Sequence, residues 1–121
     1  MLELEQNAGG SLVKDVSEAT FMQDVVEASK ERPVIVDFWA PWCGPCKTLG
    51  PQLEEAVNAA NGAVTMAKVN VDENQMIAGQ MQVQSIPTVF AFVNGQPVDG
   101  FQGAVSGSEI KAFVDRVVAT N

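Results

Sequence analysis

The chain has 121 residues, of which 46% are hydrophobic, and this size fits one globular domain. Seven basic residues against fifteen acidic ones give a net charge of -8, which opposes binding to nucleic acids and to anionic membrane surfaces. No apolar run is long enough to span a membrane, and the first ten residues lack the features of an export signal, so we expect a cytoplasmic protein.

The N-terminal part divides into a polar segment and the start of the fold. Residues 1–11 show no periodicity and contain Gly9-Gly10, so we expect a flexible lead-in and a folded domain over 12–121. Residues 12–16 are predicted to form a short edge strand. Ser17 is a candidate N-cap for a first helix, and Pro33 closes this unit.

The next segment predicts a buried strand followed by a long helix. Residues 34–40 are apolar except for Asp37, which is typical of a central strand that is covered on both faces. Apolar residues at helical spacing follow Cys46, with Pro51 inside the helix and Asn61-Gly62 ending it.

A second inner strand is predicted within residues 64–71, where apolar residues predominate and Lys68 interrupts them. A short helix over 75–81 follows it. A strand, a helix and a further strand in this order require a crossover connection, so we expect the two inner strands to be parallel.

The C-terminal part predicts a hairpin and a final helix. Asn94-Gly95 separates the apolar runs 89–93 and 98–101, which is a strong signal for two antiparallel strands. Pro97 predicts that the last strand lies at the edge of the sheet. The pattern Ser106 to Glu109 is a capping box at the start of the last helix. The fold class is therefore α/β, with a central mixed sheet and helices on both faces.

The only two cysteines, Cys43 and Cys46, lie where the central strand becomes a helix, and Gly44 and Pro45 separate them. If Cys43 is the N-cap, Cys46 falls three residues into the helix. Free backbone N–H groups and the helix dipole would then stabilise a thiolate on Cys43 and lower its pKa. We therefore expect a nucleophilic thiol at neutral pH, and we expect Cys46 to be the less exposed thiol.

Two other uses of the cysteine pair fit the sequence less well. A structural zinc site usually needs four Cys or His ligands, whereas this chain has two Cys and no His. A structural disulfide is not expected in a reducing cytoplasm, and one that closes so short a loop constrains the unfolded chain little. Redox exchange remains as the function that the pair indicates.

Asp37 is the candidate base for the second thiol. Burial in an apolar strand should raise the pKa of Asp37, which would let it exchange a proton with Cys46 directly or through water. The alternative is a structural carboxylate that forms an ion pair with Lys68 and takes no part in the chemistry. Lys68 is either the neighbour of Asp37 or an edge lysine with a solvated ammonium, and the sequence leaves both open.

With these residues assembled, the chain resembles the thioredoxin family. The resemblance extends over roughly residues 13–119, and its motifs are Trp42-Cys43-Gly44-Pro45-Cys46-Lys47, Asp37-Phe38-Trp39, Pro51, Ile86-Pro87-Thr88, Asn94-Gly95 and Gly103. Segments 34–47 and 90–101 are also similar to thioredoxin domains that are fused to helical repeats in chaperone-like proteins, the chaperedoxins.

The resemblance implies the thioredoxin fold and a role for each matching residue. Cys43 would be the attacking thiol, Cys46 the resolving thiol, Asp37 the buried acid and Lys68 its basic neighbour. The substrate-binding surface would comprise Trp42, Gly44, Pro45, Ile86, Pro87 and Gly103, with Pro87 in the cis form. Pro41, Met81, Ser85 and Gln102 depart from the residues that many members carry, and these departures concern partner preference more than chemistry.

The resemblance also predicts the direction of electron flow and the partners. Disulfide-forming relatives place a His between the two cysteines, whereas this chain has Gly44-Pro45, so we expect a reductant. No dinucleotide-binding fingerprint occurs, so we expect no bound cofactor and a separate thioredoxin reductase that uses NADPH and FAD. The predicted function is reduction of disulfides in substrate proteins; the alternative is a chaperone-like module that holds clients with little turnover.

Overall fold

Five strands form one mixed sheet in the computed structural model, which describes residues 12–120. Residues 1–11, for which we predict a lead-in, and residue 121 lie outside the described residues. The strands are Val13–Asp15 (β1), Val34–Trp39 (β2), Thr65–Asn70 (β3), Thr88–Val93 (β4) and Gln96–Gln102 (β5), in the order β1-β3-β2-β4-β5. Pairs β1–β3 and β2–β3 are parallel, whereas β2–β4 and β4–β5 are antiparallel. This arrangement confirms the predicted mixed sheet.

In the described part of the chain, four helical segments flank the sheet. They are a first helix (α1) made of a π-helical part, Met22–Glu27, and a 3-10 turn, Ala28–Lys30, followed by Gly44–Ala59 (α2), Gln75–Gln80 (α3) and Gly107–Thr120 (α4). No helix within residues 12–120 has both the length and the apolar character needed to cross a membrane.

The central strand β2 buries side chains on both of its faces. Ile35 packs with apolar residues of α2 and α4, including Leu53 and Phe113. Val36 and Phe38 belong to a second cluster that also contains residues of α1 and α3. Because neighbouring residues of a strand point to opposite faces, helices on both sides explain the nearly continuous apolar run.

The predicted start of the first helix is wrong. The Ser17 carbonyl accepts a hydrogen bond from the Thr20 backbone N–H at 3.1 Å, and the Ser17 N–H donates to the Thr20 hydroxyl at 3.3 Å. These bonds form a turn before the helix, and Phe21 then caps α1 without a side-chain hydrogen bond. A Ser in a polar stretch can satisfy a turn as readily as a helix end.

The hairpin turn and the capping box predicted in the C-terminal part of the chain are both confirmed. Asn94 and Gly95 both adopt positive φ, at 54° and 84°, which the tight hairpin between β4 and β5 requires. Ser106 and Glu109 form the capping box, with the Ser106 N–H donating to Glu109 at 3.0 Å and the Glu109 N–H donating to Ser106 at 3.2 Å. The first of these bonds lowers the pKa of Glu109.

Candidate active site

The two cysteines lie at the N-terminus of α2 and form a disulfide. Cys43 is the N-cap residue of the helix, in an extended backbone conformation, and its sulfur accepts a hydrogen bond from the Cys46 N–H at 3.2 Å. The predicted cap geometry is therefore confirmed. A thiolate at this position would keep that donor and face the positive end of the helix dipole.

The predicted difference in exposure between the two cysteines is wrong for this disulfide-bonded state. Cys43 is 4% exposed and Cys46 is 5% exposed. Both pack in one small cluster with Ala40, against which Trp39 and Ile86 also pack. The S–S bond keeps the two residues together in this cluster, and both are buried.

Asp37 lies in the middle of β2 and is 1% exposed. Neither of its carboxylate oxygens has a hydrogen-bond partner among residues 12–120. Loss of solvation raises the pKa of Asp37 to about 6, against an opposing contribution from Lys68 and with a further rise caused by Glu54. The direction agrees with the prediction from the sequence. A buried carboxyl of this kind can take up and release a proton near neutral pH.

Lys68 lies beside Asp37 in the sheet but does not pair with it. The two residues occupy paired positions of β2 and β3. The Lys68 ammonium instead forms an ion pair with Glu54 at 2.9 Å, and it lies 5.4 Å from the centroid of the Trp39 ring. The alternative in which Asp37 is ion-paired to Lys68 is therefore wrong.

Glu54 is a site residue that the sequence analysis missed. It follows Cys46 by eight residues, slightly more than two helical turns, so both project from one face of α2. Gly50 lies between them on that face, and a Cβ atom there would be 3.9 Å from Asp37 Oδ2. The four-residue spacing of these three positions is the signal that could have located Glu54.

A cleft of about 230 Å³ connects the second thiol to the buried carboxyl. Its lining includes Asp37, Trp39, Cys46, Gly50, Glu54 and Lys68. The cleft can hold water molecules, which would allow a proton to pass between Asp37 and Cys46 without direct contact.

A mostly apolar groove of about 420 Å³ lies next to the cysteine cluster, because Val71 and Ile86 line the groove and also pack against that cluster. Trp42 is 67% exposed at its rim, and its indole N–H donates to the Asp72 carboxylate at 2.9 and 3.2 Å. Trp42 is exposed, as its predicted place on the substrate-binding surface requires, whereas Asp72 was missed because nothing in the sequence relates these two loops. Ile86 lines the same groove, and so does Ser85, one of the four departures from the family pattern.

The remaining residues of the predicted substrate-binding surface lie in the first turn of α2 and in the loops before β4 and after β5. The Ile86–Pro87 peptide bond is cis, as the resemblance implied. Gly103 adopts a positive φ of 81°, and its N–H donates to the Pro87 carbonyl at 2.8 Å, which links the end of β5 to the loop before β4. Gly44 and Pro45 are exposed at the start of α2. Within residues 12–120 no group of three or more metal-ligating side chains occurs.

The family model for thioredoxin matches residues 12–116. The chain belongs to the thioredoxin family. It is 43% identical over 106 residues to thioredoxin 1 of Synechococcus elongatus, covering 88% of this chain and 97% of that protein. The crystal structure of the thioredoxin Mala s 13 of Malassezia sympodialis superposes with a TM-score of 0.77 and 36% identity, covering 88% of this chain and 90% of that one.

Another relative combines two activities in one polypeptide. The bifunctional thioredoxin reductase/thioredoxin of Mycobacterium leprae is 46% identical over 99 residues, which are 82% of this chain and 21% of that protein. Thioredoxin-family proteins carry no cofactor of their own and receive electrons from a reductase.

This member of the family is a thiol–disulfide oxidoreductase that uses the Cys43–Cys46 dithiol to reduce disulfides in proteins. The relatives reported above are thioredoxins, or a fusion that contains one, so they do not favour the chaperone-like alternative.

Proposed function

We propose that Cys43 is the attacking thiol. Its thiolate attacks a substrate disulfide, forms a Cys43–substrate bond and releases the first substrate sulfur as a thiolate, which takes a proton from water. Cys46 then attacks Cys43, forms the intramolecular disulfide and releases the second substrate thiolate, which is protonated in turn. Two electrons pass from the dithiol to the substrate. The N-cap position of Cys43, with the Cys46 N–H directed at its sulfur, is the observation that supports this order.

Asp37 is the proton acceptor for Cys46 in this proposal. The cleft connects the two residues, and the carboxyl has no other partner among residues 12–120. A pKa of about 6 leaves most of the Asp37 carboxylate ionised at neutral pH and still basic enough to take a proton. Lys68, at the paired position of the next strand, moderates that basicity through its positive charge.

Substrate chains dock on the surface around the disulfide. Trp42 and Ile86 provide apolar contact, and Gly44, Pro45 and Gly103 leave the approach to the sulfurs open because they are small or exposed. The backbone beside Pro87 can pair with an extended substrate segment, a mode of recognition that uses main-chain hydrogen bonds.

A thioredoxin reductase that draws electrons from NADPH through FAD recharges the disulfide. The support is the Mycobacterium leprae relative, whose name joins a thioredoxin reductase to a thioredoxin in one chain. The place of action is a reducing compartment, the cytoplasm, where such a dithiol is maintained in its reduced state. The folded unit is a single domain over residues 12–121.

Two variants test the assignment of the thiols. Cys46→Ser should accumulate a mixed disulfide with insulin, visible as a covalent adduct on a non-reducing gel, because the resolving step is lost. Cys43→Ser should give no such adduct at neutral pH. Equal trapping by both variants would contradict the order of attack.

Asp37→Asn tests the proton transfer. It should slow resolution of the mixed disulfide near neutral pH by about 100-fold, at the low end of the range for general base catalysis. Single-turnover kinetics with the reduced protein measure this step. An unchanged rate would remove Asp37 from the mechanism and leave the thiol assignment intact.

A further inference from the structure

The ion pair between Lys68 and Glu54 borders the same cleft as Asp37 and Cys46. We propose that Glu54 is a positioning residue for disulfide exchange: it holds the Lys68 ammonium away from Asp37 and so keeps the buried carboxylate available to accept the proton of Cys46. This inference rests on the proposed role of Asp37.

Lys68 has two carboxylates within the cleft and contacts one of them. Its ammonium lies 2.9 Å from Glu54 Oε2, whereas both oxygens of Asp37 have no hydrogen-bond partner in residues 12–120. The strand register nevertheless places Lys68 and Asp37 side by side. With Glu54 removed, Asp37 is the carboxylate that remains on this cleft for Lys68, whereas Asp15, Asp24 and Glu73 line a separate pocket that Lys68 also borders.

Partial burial makes the electrostatic attraction within this ion pair stronger than that between two fully exposed side chains. The Lys68 side chain is 26% exposed and that of Glu54 is 33% exposed, and the ammonium also lies over the Trp39 ring. Because the attraction between charges increases as solvent is excluded, the choice of partner for Lys68 affects the proton affinity of its neighbour.

The groups that face Asp37 come from three elements. Helix α2 contributes Glu54 and Cys46, and its exposed Lys47 also borders the cleft, whereas β3 contributes Lys68. On the other side, β4 places uncharged Val89 at the position paired with Asp37. Lys68 favours the ionised form of Asp37 and Glu54 opposes it, and this agrees with the directions in which the two residues shift the pKa of Asp37.

The test is a carboxyl ¹³C NMR titration of Asp37 in the disulfide-bonded protein, a state in which neither cysteine titrates. Glu54→Gln should lower the titration midpoint of Asp37 by about one pH unit, because a negative charge is lost and Lys68 is released towards the carboxylate. Glu55→Gln is the matched control: it removes the same charge from the next, exposed residue of α2, which does not line the cleft. Equal midpoints for the two variants would overturn the proposal.

A second pair of variants tests whether Glu54 acts through Lys68. In a Lys68→Met background, Glu54→Gln should shift the Asp37 midpoint by less than half as much as in the unmodified protein, since there is no ammonium to release. An equal shift in both backgrounds would show that Glu54 acts only by its own charge, and the positioning role would be wrong.

Kinetics separate this inference from the proposed function. If Asp37 accepts the proton, the acidic limb of the pH profile for mixed-disulfide resolution should move to lower pH by about one unit in Glu54→Gln and stay in place in Glu55→Gln. If Asp37→Asn leaves resolution unchanged, the proton-transfer role fails whatever the titration shows. If Asp37→Asn slows resolution while Glu54→Gln moves neither midpoint nor limb, only the positioning role fails.

Discussion

Replacing Asp37 by Asn should make the oxidised protein more stable at neutral pH. The side chain keeps its size, while the charge that burial disfavours disappears. Asp37 is 1% exposed and has no hydrogen-bond partner within residues 12–120, so nothing in that range solvates the ionised form. The protein therefore loses stability whenever this carboxyl ionises in the folded state.

The pKa gives the size and the sign of the effect. A folded-state pKa of about 6, against an ordinary value of 3.8, corresponds to about 3 kcal/mol. Between these two values the folded protein binds more protons than the unfolded chain, so the free energy of unfolding falls as the pH rises. The contribution of protonated Asp37 is complete below the ordinary value and is lost as the pH passes through about 6.

Urea denaturation of the disulfide-bonded proteins measures this directly. The difference in unfolding free energy between Asp37→Asn and the unmodified protein should grow by about 2.5 kcal/mol in favour of the variant between about pH 4 and pH 7.5, since part of the full effect is already lost at pH 4. Any fixed cost of burying the amide cancels in this comparison. A difference that stays constant over the range would refute the account of Asp37 as a buried carboxyl that ionises late.

Four further substitutions, one of them a control, have defined outcomes. Gly100→Ala should lower the unfolding free energy by about 1–3 kcal/mol, because the new Cβ would lie 2.6 Å from the Val89 carbonyl oxygen. Gly107→Ala is the control: there is open space at its Cβ, so the unfolding free energy should change by less than about 0.5 kcal/mol. Equal urea midpoints for the two variants would contradict this prediction. Glu18→Ala should cost about 1 kcal/mol in the same assay, because the Glu18 carboxylate accepts two backbone N–H bonds at the start of α3, and no loss would mean that water replaces it fully. Trp42→Phe should reduce kcat/KM for insulin about three- to tenfold and leave the rate with cystine unchanged, since the variant loses the indole hydrogen bond that fixes the docking ring and part of the apolar contact area. An equal loss with both substrates would place its effect on the chemistry itself.

The sheet and the cysteine pair could be predicted because their signals are local. The double-sided apolar run of β2, the Asn94-Gly95 turn and the capping box each depend on residues close together in the chain. The position of Cys43 at the N-cap followed from the same kind of reasoning. Each of these predictions is confirmed by backbone geometry or by a hydrogen bond.

The partners of charged side chains could not be predicted in the same way. The strand register places Lys68 beside Asp37, as the resemblance implied. The ammonium nevertheless binds Glu54, and only the position of α2 over the sheet determines which of the two carboxylates it contacts. Trp42 and Asp72 meet through two loops that are thirty residues apart in the chain, with no periodic signal between them. The predicted start of α1 was wrong for a related reason: the Ser17 N–H donates a hydrogen bond to the Thr20 hydroxyl, and the two residues form a turn before the helix.

The two edge strands of the sheet, β1 and β5, affect how the protein can interact with other polypeptides. Among residues 12–120, β1 is only three residues long, and β5 contains Pro97 and pairs with a register shift near Phe92. A short border and one interrupted by proline offer few consecutive main-chain groups to an incoming polypeptide. The sheet itself is therefore a poor template for aggregation of the proteins whose disulfides are reduced at the cysteine pair.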